Sequence, residues 1–217
     1  MPKVTEEHLE ARRTQILDAA VACFSRNGFH QTMMQDICSE AKLSPGAVYR
    51  YFDSKEAMIG ESCRRGQGEI AAAFEGATSQ GGTQDVIAEL TDIFFGDLAS
   101  SEAAPAMRLR VQLWGESLRN PEILAGLSSN RDAVREHLQA VVERGQSLGD
   151  VSPEADPEYV ARVLLSSYDG LVLQKSLDPD VDILRYVGAF KSLVSGVLSD
   201  SSAFRSARSQ GRSDAPS

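Results

Sequence analysis

Ser44, Tyr49, Arg50, Tyr51 and Lys55 gather hydrogen-bond donors within a dozen residues, around a stretch of small side chains, Pro45-Gly46-Ala47. Small residues at the start of a helix permit close approach to a large ligand, and the amides that open a helix can meet a phosphate. Donors of this kind suit a nucleic-acid backbone. The chain offers little for other chemistry. It has no Ser/His/Asp order, phosphate-cradling loop or metal-ligand spacing, and Gly66-x-Gly68 lacks the third glycine and preceding strand of a dinucleotide fingerprint. His8, His30 and His137 are scattered, and Cys23, Cys38 and Cys63 form no C-x-x-C pair. The expectation is a protein that is not an enzyme and needs neither metal nor cofactor.

The elements that must position these donors are helices. Leu9, Ile16, Leu17, Ala20, Val21 and Phe24 form one stripe that stops at Asn27-Gly28. Thr5-Glu6-Glu7-His8 is a partial capping box ahead of it, with His8 where the full motif has Glu. A second helix fits Met33 to Ala41. Ser44-Pro45 then supplies an N-cap and a proline at the first helical position, starting a short third helix to about Phe52. Two helices joined by three or four residues match a helix-turn-helix, whose second helix lies in the major groove. Ile37, Ala41, Leu43, Val48 and Phe52 form its apolar underside. Ser54 caps the next helix, Lys55 to about Phe74, with Glu56 in the first turn where it suits the helix dipole.

Beyond a Gly/Ser/Thr-rich loop at 76–83, further helices are expected at about 84–99, 104–118, 121–147, 157–177 and 181–199. Their breaks are Ala104-Pro105, Asn120-Pro121, the stretch from Gly149 to Pro157, and Asp178-Pro179. The predicted fold is all-α: a head at 1–54 and a helical body at 55–199, of which 55–75 connects the two. The tail at 200–217 is too poor in apolar residues to pack and is expected to be disordered.

The net charge is −9 in a chain that is 42% hydrophobic and 24% charged. An acidic chain argues against nucleic acid only if the acid lies on the head. Residues 1–65 carry nine Lys/Arg and nine Asp/Glu, so the whole excess falls on 66–217. Phosphate binding needs a local cationic surface, and the objection lapses. With no apolar run near the roughly 20 residues of a membrane span, and a polar N-terminus unlike a targeting signal, the expectation is a cytoplasmic protein without membrane contact.

The sequence resembles the TetR family of bacterial regulators. The resemblance rests on Ile16-Leu17-Asp18-Ala19-Ala20, Phe24, Gly28-Phe29, Thr32, Ile37, Ala41, Leu43-Ser44, Gly46, Val48-Tyr49, Tyr51-Phe52 and Ser54-Lys55-Glu56, covering about residues 12–60. It implies a DNA-binding transcriptional regulator, a repressor released from a palindromic operator by a small-molecule effector, with an activator as the alternative. By the same resemblance Thr32 holds a phosphate at the start of the second helix. Ser44, Pro45, Gly46, Ala47 and Arg50 face the major groove, while Tyr49, Tyr51 and Lys55 grip the backbone. Arg50 is the candidate base contact, since arginine can pair bidentately with guanine. Two positions depart from the pattern. Lys42 stands where the family often has glycine, a site that commonly needs positive φ, and Cys38 replaces the usual alanine.

The body is less explicit. The helices at 157–177 and 181–199 are apolar on more than one face, so each should be buried on two sides. The resemblance implies a homodimer through these last two helices, with Val163, Leu164, Leu171, Tyr186, Phe190, Val194 and Val197 as the expected interface. A ligand pocket is expected among the middle helices, from Phe94, Met107, Val111, Gln112, Trp114, Glu116, Tyr168 and Asp169. A Met-and-aromatic stripe also serves as plain core, and Asp169 has Arg108 or Arg110 as candidate partners. Two rivals to effector control stay open: redox control through the cysteines, Cys38 included, and constitutive DNA binding without sequence preference. Cys23 and Cys38 otherwise read as small core hydrophobes.

Overall fold

The computed structural model describes residues 6–78, 82–100 and 103–199. The capping-box Thr5 and the tail at 200–217 lie outside them. Among the described residues the chain is all-helical: α1 (Glu6–Asn27), α2 (Met34–Glu40), α3 (Pro45–Tyr49), α4 (Lys55–Thr78), α5 (Thr83–Gly96), a 3-10 turn (Asp97–Ala99), α6 (Ala103–Ser117), α7 (Pro121–Leu148), α8 (Pro157–Leu177) and α9 (Ile183–Ser199). α3 ends three residues before the expected Phe52, and α4 runs four residues past the expected Phe74.

Caps explain the clearest boundaries. The Ser44 side chain accepts the Ala47 N–H, and Asp156 accepts those of Glu158 and Tyr159, each ahead of a proline at the first helical position. Asn120 Oδ1 accepts from Glu122 and Ile123 in the same arrangement. A polar cap satisfies amides the helix leaves unpaired, and proline has no amide to satisfy. α1 ends on Gly28, whose φ of +83° suits a residue without a Cβ.

The described residues divide into two compact units, one from residues up to 68 with 103–131, the other from 69–100 with 132–199. The first unit exceeds the head of the sequence reading. Ile16, Ala20, Phe24, Ile37, Val48 and Met58 form a core that also takes in Leu109 and Leu113 of α6 and Ile123 of α7. Apolar side chains leave water wherever a partner face is offered, so the helix-turn-helix shares its core with segments remote in sequence. The α4–α7 crossing in this unit is close: a Cβ on Gly126 would come within 3.0 Å of the Gly60 Cα.

The second unit is built on Phe74, Val86, Ile87, Leu90, Val141, Val142 and Val151. The same unit holds the stacked or edge-on rings of Phe95, Tyr168, Tyr186 and Phe190. Tyr186 donates its hydroxyl to the Ser167 carbonyl at 3.0 Å, and burial raises its pKa.

The outward face of α8 differs from the expected interface. Leu164, Leu171 and Phe190 are spent inside the protomer. Tyr186 and Val194 are half-buried, and the Val197 side chain lies outside the described residues. Val163 does point out, on a stripe with Tyr159, Leu173 and Leu177, while Leu184 and Leu193 are exposed on α9. Ser166 and Gly170 continue the α8 stripe, whose steps of three and four residues keep it on one face. The sequence showed two apolar faces; packing decides which one turns inward.

Candidate nucleic-acid interface

α3 has a buried underside and an exposed outer face. Its underside is Val48, fully buried, and the following Phe52 is buried as well. Ser44, Pro45, Gly46, Tyr49 and Arg50 are exposed, Ala47 is half-buried, and Tyr51 packs against the head core. Tyr49 leaves nearly half its surface in water (48%), unusual for so large a ring. A cation, two hydroxyls and a small-residue helix opening therefore share one accessible surface.

The turn ahead of α3 takes its shape from the backbone. Ala41 N–H bonds to the Ile37 carbonyl, Lys42 to Ser39 and Leu43 to Cys38, and Gln15 Nε2 donates to the Ala41 carbonyl at 2.7 Å. Lys42 adopts φ of 55°, the left-handed conformation glycine favours, at a cost of about 1–2 kcal/mol. The position needs positive φ even though the residue is lysine.

The turn between α1 and α2 is built differently. Thr32 is buried, and its hydroxyl lies 2.8 Å from the Gly28 carbonyl and 3.2 Å from that of Cys23. The Lys55 ammonium donates to the carbonyls of Phe29 (2.8 Å) and Thr32 (2.9 Å) and sits 4.5 Å from the Phe29 ring centroid. From α6, Gln112 Oε1 accepts the Phe29 N–H at 3.1 Å, and Glu116 meets His30 Nε2 at 3.1 Å. The Thr32 hydroxyl and the Lys55 ammonium thus make hydrogen bonds inside the head, beside the outward phosphate roles the resemblance implied. Two of the three Lys55 N–H groups are committed, and Thr32 faces the core.

The expected pocket residues divide between the units. Met107, Val111, Gln112, Trp114 and Glu116 lie on α6 in the first, where Gln112 and Glu116 reach the α1–α2 turn. Phe94, Tyr168 and Asp169 lie in the second, with Phe94 against Phe74 and Tyr168 against Phe95. Sequence reasoning missed His30 and the head-facing role of Gln112 and Glu116, because their partners are a main-chain amide and a lone imidazole. Cys23 and Cys38 are free and buried, and burial pushes the Cys23 thiol pKa up, as it does for half-buried Cys63. No helix among the described residues is long and apolar enough to cross a membrane.

Residues 16–61 match the family described as bacterial regulatory proteins of the TetR family, and residues 84–198 match the BetI-type transcriptional repressor C-terminal family. The HTH-type transcriptional regulator UidR of Escherichia coli K12 is 29% identical over 193 residues, covering 87% of this chain and 94% of UidR. Among solved structures, Salmonella enterica GusR superposes with a TM-score of 0.73 at 27% identity, over 91% of this chain and all of GusR. The Bacillus subtilis regulator FadR, solved with stearoyl-CoA, shares the fold at 19% identity (TM-score 0.70, 83% of this chain and 96% of FadR). With its helix-turn-helix presented on the shared core and both segments matched, the chain belongs to the TetR family of DNA-binding transcriptional regulators.

Proposed function

We propose that the protein is a cytoplasmic repressor that binds a palindromic operator as a homodimer, without catalysis of its own, and is released by a small-molecule effector. The observation that carries the reading is the face of α3: Ser44, Pro45, Gly46, Tyr49 and Arg50 exposed on a short helix whose underside is fully buried. In the proposed complex α3 enters the major groove, Arg50 reads a base edge, and Ser44, Tyr49 and the helix-opening amides meet phosphates. Tyr51 and Lys55 support this surface from behind.

The exposed α8 stripe, joined by Leu184 and Leu193, supports a partner copy through the last two helices, with Ser166 and Gly170 allowing close approach. Burial of Cys23 and Cys38 disfavours redox control, because an accessible thiolate is the reactive form. For the effector, Phe94, Tyr168 and Asp169 of the second unit are the proposed contributors. α4, continuous from Lys55 through Phe74, is the proposed lever. By linkage, an effector that weakens operator binding is itself weakened by operator.

Selection of duplexes from a random pool tests the reading. The expected product is a palindrome with half-sites about 34–36 Å apart or a multiple of that. Arg50→Ala should lose preference at one base position per half-site, worth about 1–3 kcal/mol. Binding without sequence preference, falling steeply with salt, would replace the operator reading with a non-specific one.

A further inference from the structure

α6 holds the α1–α2 turn through two polar side chains one helical turn apart. Gln112 Oε1 accepts the Phe29 N–H at 3.1 Å and lies over Gly28, where a Cβ would stand 3.0 Å from that oxygen. Four residues on, and so on the same face of the helix, Glu116 Oε2 stands 3.1 Å from His30 Nε2. Leu109 and Leu113 of α6 are meanwhile buried in the head core. The gripped turn leads within a few residues into α2, which leads through the turn at 41–44 into α3.

We propose that Gln112 and Glu116 are positioning residues for operator binding. They clamp the turn that feeds α2, and thereby set the pitch at which α3 is presented. The inference rests on the operator reading above. Neither residue needs to touch DNA. Each acts by raising the fraction of heads poised to bind, and apparent affinity scales with that fraction. The clamp also makes α6 part of the reading unit, so a displacement of α6 changes the head without passing through α4.

The test uses the full chain and the duplex that the wild-type protein selects from a random pool. Gln112→Leu removes the acceptor, Gln112→Glu keeps one, and Glu116→Ala is made with and without His30→Ala. A net hydrogen bond of about 0.5–1.5 kcal/mol corresponds to about two- to tenfold in affinity, and that weakening is expected for Gln112→Leu with base preference unchanged. Gln112→Glu should stay within about twofold of wild type on the same scale. The Phe29 amide should exchange with deuterium faster in Gln112→Leu alone. Glu116→Ala should weaken binding when His30 is present and have no further effect once His30 is alanine. Unchanged affinity of a folded Gln112→Leu variant, an altered base preference, or additive His30 and Glu116 effects would overturn the proposal. If Gln112→Leu fails to fold, the His30/Glu116 cycle decides. If the wild type selects no duplex, the operator reading fails, while amide exchange still reports whether Gln112 holds the turn.

Discussion

The two turns of the head do comparable work by opposite means. Between α2 and α3 the chain turns on its own backbone, with Lys42 in a left-handed conformation and Ser44 capping the helix that follows. Between α1 and α2 it turns under side chains from elsewhere: Lys55 from α4, and Gln112 and Glu116 from α6. A turn of the first kind is written in local chemistry. One of the second kind exists only when the rest of the unit is folded, and it is the turn on which the proposed clamp acts.

That contrast can be broken at three points. Lys55→Met should have the largest effect on stability, since it removes an ammonium bonded to two carbonyls; hydrogen bonds to charged groups contribute about 1.5–3 kcal/mol. Thermal unfolding would show it, and an unchanged midpoint would mean that water replaces the ammonium without loss. Ser44→Ala should cost about 1 kcal/mol through the lost cap of α3, with operator affinity falling alongside stability. Lys42→Gly should be the mildest and of opposite sign. Relief of left-handed strain of about 1–2 kcal/mol is offset in part by the greater freedom of unfolded glycine, of about 0.4–1 kcal/mol. A destabilised Lys42→Gly would show that the lysine side chain contributes more than its backbone costs.

Legibility followed the same division. Ser44-Pro45 placed the start of α3, and the bounds of α8 at 157 and 177 followed from the break between Gly149 and Pro157 and from Asp178-Pro179, because caps and prolines act on their immediate neighbours. Positive φ at Lys42 was readable from the family pattern despite the lysine. The partners of Gln112 and Glu116 were not readable. A polar residue on a helix gives no sign of whether it faces a ligand or a main-chain amide 83 residues away. Nor did periodicity separate Val163, which is exposed, from Leu164, which is buried, on a helix apolar over more than one face. Tertiary packing makes that choice, and it placed Leu173, Leu177, Leu184 and Leu193 in water while drawing Leu171 and Phe190 inside.

Phe29 shows how such a junction would look to genetics. Its N–H is taken by Gln112, its carbonyl by Lys55, and its ring lies beneath the same ammonium and against Phe24 and His30. Two of these holds end on main-chain atoms that every amino acid except proline supplies in full. A saturation scan at position 29 would therefore register the ring and pass over the rest, and the junction would surface as sensitivity at residues 55 and 112. An amide-to-ester replacement between residues 28 and 29 would delete the one N–H that Gln112 uses while leaving every side chain in place.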